Sequence, residues 1–117
     1  MIRRIIVFSL FLTGMALSGC NRQPNAETAH IQVTAHRYGF EPPVIHLKKG
    51  QEVVLEVSTS DVQHGFEVKG LGIDEPIQPG KPALISLKAD KAGEFKVGCS
   101  IMCGSGHERM ESKIVVE

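Results

Sequence analysis

Short apolar runs separated by glycine and proline fill the chain from residue 30 to its end. In the first run, Ile31, Val33 and Ala35 alternate with polar residues, which is the two-residue period of a half-buried strand. None of the later runs has the apolar spacing of a helix longer than two turns. Because glycine or proline stands at the breaks between runs, the pattern predicts an all-β Greek-key sandwich of about seven strands.

The predicted strands place two metal-binding residue types on apolar faces. His64 shares one strand face with Phe66 and Val68, and Cys99 shares the face of Phe95 on a later strand. Since both faces are expected to be buried, we expect this imidazole and this thiol to converge inside the sandwich. The predicted strands cover residues 31–36, 44–47, 52–57, 64–68, 83–87, 94–99 and 112–116.

Composition limits the chain to one small, nearly neutral domain. Its 117 residues include 13 Lys+Arg and 13 Asp+Glu, so no basic surface of the kind that nucleic acid binds is available. Apolar residues make up 42% and charged residues 22%, which is typical of a folded globular chain rather than a disordered one. We therefore expect no nucleic-acid partner.

The N-terminus has the organisation of an export signal. Arg3 and Arg4 precede an apolar stretch that ends at Gly19, and this stretch is shorter than the roughly 18 to 20 residues that cross a bilayer as a helix. Leu17-Ser18-Gly19-Cys20 resembles the lipobox of bacterial lipoproteins, which implies cleavage before Cys20 and acylation of its thiol.

This interpretation divides the chain into three parts and gives it a location. Residues 1–19 are predicted to be a signal peptide, 20–29 a lipid-anchored flexible tether and 30–117 the folded domain. The domain is expected on the extracytoplasmic face of the cell envelope, held to the membrane through Cys20. An uncleaved N-terminal transmembrane helix is the alternative.

One loop near the C-terminus concentrates metal ligands. Cys99, Cys103, His107 and Met110 lie within twelve residues. We expect Gly104 and Gly106 to adopt positive φ angles, so that the loop reverses and these side chains face one point. A disulfide between the two thiols would leave the imidazole and the thioether unexplained.

Ligand softness favours copper over zinc at this loop. Zinc accepts thiolates and imidazoles but has no use for a thioether, whereas copper accepts all three. His64, Cys103, His107 and Met110 would satisfy a mononuclear blue-copper site on their own. The additional thiol of Cys99 makes chemical sense if both sulfurs bridge two copper ions.

Several motifs resemble subunit II of cytochrome c oxidase, over roughly residues 31–117. They are His64-Gly65-Phe66, Cys99-x-x-x-Cys103-Gly104-x-x-His107, Met110, Gly39-Phe40-x-Pro42 and Asp61-Val62-x-His64. The resemblance implies a cupredoxin fold and a binuclear copper centre that transfers single electrons. It also implies six ligand positions: Cys99 and Cys103 as bridging thiolates, His64 and His107 as one imidazole per copper, Met110 as a weak thioether and Ile101 through its main-chain carbonyl.

The resemblance also implies partners, with one departure. A respiratory oxidase catalytic subunit and a cytochrome or other small electron donor are the expected partners, and the chain is not expected to be catalytic alone. Many members of the family carry Glu at the position of Ile101 and use it to bind magnesium against the catalytic subunit, which an Ile cannot do. A copper delivery or storage lipoprotein and a mononuclear blue-copper carrier remain the alternative functions.

Overall fold

The computed structural model describes Gly19 and residues 28–117. The predicted signal peptide, the anchor residue Cys20 and most of the predicted tether lie outside the described residues. Within those that are described, no helix is long and apolar enough to cross a membrane. The strands are β1 (Ala29–His36), β2 (Gly39–Glu41), β3 (Val44–Leu47), β4 (Glu52–Thr59), β5 (His64–Val68), β6 (Ile73–Ile77), β7 (Ala83–Lys88), β8 (Gly93–Gly98) and β9 (Glu111–Val116).

The strands form two mixed sheets that face each other. The first contains four strands in the order β2-β1-β4-β7, and the second contains five in the order β3-β9-β8-β5-β6. Most neighbours are antiparallel, but β1 pairs with β4 and β3 pairs with β9 in parallel. Sequentially distant strands are thus neighbours, as in a Greek-key sandwich, and the all-β prediction is confirmed.

Alternate residues of each strand enter the core between the sheets. In β4, for example, Val53, Leu55 and Val57 are buried while their neighbours are not. Phe40 and Phe66 meet edge to face with ring centroids 5.7 Å apart. The buried apolar residues are Val33, Ala35, Phe40, Ile45, Leu47, Val53, Leu55, Val57, Phe66, Val68, Ile77, Ile85, Ala89, Phe95, Val97, Cys103, Met110, Ile114 and Val116.

The described residues contain nine strands, where about seven were predicted. The two additional strands, β2 and β6, are both at sheet edges. β2 has only three residues, and β6 contains Pro76 together with two adjacent acidic residues, so neither shows the alternation used for the prediction. Proline is tolerated in β6 because an edge strand does not need every backbone N–H for its ladder.

The pairing between β5 and β8 in the second sheet is short. Their register includes a single residue pair, Glu67 opposite Gly98. His64 starts β5, and Cys99 directly follows β8. The end of this sheet therefore carries both the upstream histidine and the start of the loop that contains the remaining candidate ligands.

Candidate metal centre

His64 is fully buried and its ring is oriented by Asp61. A carboxylate oxygen of Asp61 lies 2.7 Å from His64 Nε2, and the other ring nitrogen, Nδ1, lies 3.9 Å from the sulfur of Cys99. With Nε2 donating its proton to the carboxylate, Nδ1 is free to act as a metal ligand. The predicted convergence of His64 and Cys99 is therefore present in the structure.

The two sulfurs lie side by side, and each has its own imidazole. Cys99 Sγ and Cys103 Sγ are 3.7 Å apart, which is a contact between free thiols rather than a disulfide. His64 Nδ1 lies 3.9 Å from the first sulfur, and His107 Nδ1 lies 3.8 Å from the second. The donor atoms of His64, Cys99 and Cys103 all lie within 4.8 Å of one another.

Each sulfur also has one weaker donor beside it. The carbonyl oxygen of Ile101 lies 3.0 Å from Cys99 Sγ, and Met110 Sδ lies 3.9 Å from Cys103 Sγ. Met110 is almost completely buried, so its thioether has no role at the surface. The structure thus brings all six predicted ligand positions together as two similar halves, each with a thiol, an imidazole and a weak donor.

Burial keeps the thiol of Cys103 neutral in the absence of metal. Cys103 is 5% exposed, and this desolvation, together with the neighbouring thiol of Cys99, raises its pKa to about 11. Because only a thiolate binds a metal ion well, occupation of the site must expel this proton. A cation at this position would supply the charge that offsets the cost of a buried thiolate.

The ligand loop reverses through two glycines that have different roles. Gly104 has a φ of 148°, in the region that disfavours side chains, as predicted. Gly106 has a φ of −95°, so the prediction of a positive angle is wrong there. Its lack of a side chain matters for another reason, since a Cβ on Gly106 would overlap the ring of Tyr38. A short 3₁₀ helix, His107–Arg109, then leads to Met110.

Arg37, Tyr38 and Asp61 support the ligands and were not recognised as part of the site from the sequence. The Arg37 side chain donates a hydrogen bond from Nε to the carbonyl oxygen of Cys103, and its backbone N–H donates one to Asp61. Partial burial acts to raise the pKa of Asp61, but hydrogen bonds from Arg37, His64 and Val62 hold it well below its usual value. The signal available in the sequence was limited to Asp61 standing three residues before His64.

The donor set fits copper better than zinc. Two thiols, two imidazoles, a thioether and a carbonyl are the soft and intermediate ligands that copper accepts, and zinc has no use for the thioether. The pairing of sulfurs also fits two ions better than one, since a mononuclear site built on Cys103 would leave Cys99 without a function. In chemical terms the arrangement can hold a redox-active metal pair in a largely buried position.

The chain is similar to known proteins over most of its length. Residues 6–116 match the family model of the cupredoxin-like domain. Cytochrome c oxidase subunit 2 of Thermus thermophilus is 34% identical over 94 residues, which cover 80% of this chain and 68% of that protein.

Two solved structures share the fold. A heme-copper terminal oxidase dimer superposes with a TM-score of 0.71 at 26% identity, covering 80% of this chain and 68% of the matched chain. The periplasmic domain of subunit II of cytochrome oxidase from Bradyrhizobium japonicum superposes with a TM-score of 0.70 at 21% identity, covering 76% of this chain and 83% of that chain. The second likeness is evidence for the fold alone.

Proposed function

This chain belongs to the cytochrome c oxidase subunit 2 family of cupredoxin-like proteins, and we propose that its sulfur cluster holds a binuclear copper centre that transfers single electrons. The observation that carries the proposal is the paired arrangement of donors around two sulfurs 3.7 Å apart. Each sulfur has an imidazole and a weak donor of its own. A mononuclear blue-copper site needs only one such half.

Cys99 and Cys103, with His64, His107, Met110 and the carbonyl of Ile101, would hold two copper ions, which would supply a one-electron couple. The protein's part is to keep the donors in place when the charge of the site changes. His64 and Met110 are held in the core between the sheets, and Asp61 fixes the orientation of the His64 ring. A close-packed environment of this kind allows little ligand movement between oxidation states.

The family also supports a proposal for partners and location. We infer that the domain acts outside the cytoplasm and passes electrons to or within a respiratory oxidase, with a cytochrome or another small protein as the donor. Ile101 offers its carbonyl oxygen to the cluster but no carboxylate, so contact with a catalytic subunit does not use a magnesium ion held by this side chain.

The proposed membrane attachment through Cys20 has its own test. Cys20→Ser is expected to abolish signal cleavage and lipid labelling in cells, while the copper content of the purified protein stays the same. Unchanged gel mobility and unchanged labelling in the variant would favour an N-terminal transmembrane helix instead.

Metal content and paramagnetic resonance of the copper-loaded full chain test the proposed centre. We expect two copper ions per chain and hyperfine coupling to two equivalent nuclei. Cys99→Ser removes one bridging thiol while leaving His64, Cys103, His107 and Met110, so it is expected to convert the spectrum to that of a single copper. His107→Ala is expected to bleach or convert the centre.

Other outcomes of this experiment would contradict the proposal. At most one copper per wild-type chain would support a mononuclear carrier, and a preference for zinc would exclude an electron-transfer role. Release of Cu(I) to a protein acceptor, without reversible one-electron cycling, would support a copper delivery protein.

A further inference from the structure

The candidate ligands are not equally accessible. The side chains of His64, Cys103 and Met110 are at least 95% buried. Cys99 and His107 are only partly buried, and both line one groove together with the buried Met110. A metal ion that arrives from solvent can therefore meet two of the side-chain ligands first, and it can do so from one direction.

The groove lies where β5 and β8 share a single residue pair, Glu67 and Gly98, both of which line it. It has a volume of about 290 Å³ and extends from Lys69 and Gly70, on the turn after β5, to Cys99 and His107 at the cluster. This volume leaves room for an ion that still carries small ligands.

Gly98 forms part of the groove next to Cys99. A Cβ added to Gly98 would meet no atom within 4 Å, and the residue does not have a positive φ. On β8, the exposed Glu94 and Lys96 alternate with the buried Phe95 and Val97. A side chain at position 98 would therefore point outward, on the same face as Glu94 and Lys96. Glycine leaves this approach to the cluster open, although the local backbone would accept a larger residue.

Charge at the groove favours a cation. Four glutamates and two lysines line it. Lys96 pairs with Glu111 at 2.6 Å and Lys69 pairs with Glu67 at 3.8 Å, so the lysines are already neutralised by carboxylates. Glu108, which is exposed and directly follows His107, has no ion pair among the described residues and leaves a negative charge beside this ligand.

We propose that this groove is the route by which copper is loaded: Cu(I) carried by small soft ligands enters along Gly98, first meets Cys99 or His107, and then reaches the buried donors. The proposal rests on the proposed copper centre. Transfer into the site exchanges the carrier's ligands for thiolates and imidazoles of the protein, releases the thiol protons to solvent and leaves copper as Cu(I), so that no oxidant or reductant is required.

Two rates measured on the reduced, metal-free full chain test the route. The first is alkylation of Cys99 by iodoacetamide, read by peptide mass mapping so that Cys20 and Cys103 are counted separately. The second is copper uptake from the Cu(I)–acetonitrile complex under anaerobic conditions. Gly98→Leu is expected to slow both rates severalfold, while the final copper content, and the visible spectrum recorded after one-electron oxidation by ferricyanide, match the wild type.

Ser86→Leu provides the matched control, because it adds the same side chain at an exposed strand position on the other sheet. It is expected to leave both rates unchanged. Lys69→Trp narrows the groove from the turn after β5 and replaces Gly98→Leu if that variant does not fold. If a folded groove variant shows wild-type rates of alkylation and copper uptake, the proposed route is overturned. If the wild type binds no copper, the proposed copper centre is overturned, but the access to Cys99 that alkylation measures is not.

Glu108→Gln tests the contribution of charge. Its copper uptake is expected to slow and to become less sensitive to salt, while alkylation by neutral iodoacetamide stays at the wild-type rate. Equal copper uptake by the variant and the wild type at low salt would contradict the role of charge in this route.

Discussion

Arg37 Nε donates a hydrogen bond of 2.9 Å to the carbonyl oxygen of Cys103, a residue 66 positions later in the chain. The backbone N–H of Arg37 also donates to a carboxylate oxygen of Asp61 at 2.7 Å. The other carboxylate oxygen of Asp61 contacts the His64 ring. One turn between β1 and β2 therefore connects the ligand loop to the histidine that starts β5.

Replacing Arg37 by Gln is expected to lower the free energy of unfolding of the metal-free chain by about 1.5 to 3 kcal/mol, the usual contribution of a hydrogen bond that involves a charged group. Urea unfolding followed by circular dichroism measures this change. Arg109→Gln is the control, because Arg109 is exposed and a surface substitution of this kind costs at most about 0.5 kcal/mol. If both variants lose the same free energy of unfolding, the hydrogen bond from Arg37 to Cys103 does not stabilise the fold.

Asp61→Asn is expected to weaken copper binding about 10- to 100-fold, since partners that orient ligand imidazoles usually have effects of this size. The amide keeps the shape of the side chain but removes the charge that favours a proton on His64 Nε2. Competition with a Cu(I) chelator measures the affinity. An unchanged dissociation constant would show that packing alone orients the ring.

Asp61 also predicts an acid dependence of stability. The folded state holds the pKa of Asp61 well below its usual value of about 3.9, so its stabilisation is fully present above about pH 4 and is lost as the pH falls further. The metal-free wild type should therefore lose stability below about pH 4 more steeply than Asp61→Asn. Parallel curves for the two proteins in urea unfolding from pH 5 to 2 would contradict the role of this carboxylate.

Gly106→Ala is expected to destabilise the metal-free chain by about 1 to 3 kcal/mol, because the new methyl group would overlap the Tyr38 ring. In a Tyr38→Ala background the same change should cost close to nothing, since the φ of −95° suits alanine. A double-mutant cycle from urea unfolding measures the difference. If Gly106→Ala lowers the free energy of unfolding equally in both backgrounds, contact with Tyr38 is not the reason that position 106 requires glycine.

Met110→Leu is expected to preserve the fold and change the redox potential. The two side chains are similar in volume, so the cost in stability should stay below about 1.5 kcal/mol even at this buried position. Loss of the thioether beside Cys103 removes a weak donor to the oxidised site, so the potential should rise. Met102→Leu is the control, because Met102 is 74% exposed, and its potential should equal that of the wild type in a spectroelectrochemical titration.

Local patterns in the sequence were sufficient for the strand class and for the candidate ligands. Strict alternation around Val33 and Phe95 predicts strands because a strand has a period of two, and the chemistry of Cys99, Cys103, His107 and Met110 is visible from their spacing alone. The sequence did not predict the edge strands β2 and β6. An edge strand pairs with only one neighbour, so its residues need not alternate between apolar and polar.

The amino-acid sequence by itself determined that this chain is an all-β protein with a soft, copper-type donor set on one loop, because strand periodicity and ligand softness are properties of neighbouring residues. Only the tertiary structure decided that Arg37 holds that loop, that Asp61 orients the His64 ring, that Gly106 is required by Tyr38, and that Cys99 and His107 line an open groove. These features depend on contacts between segments far apart in the chain. Such contacts form when two sheets pack, and no local pattern encodes which side chains then become neighbours.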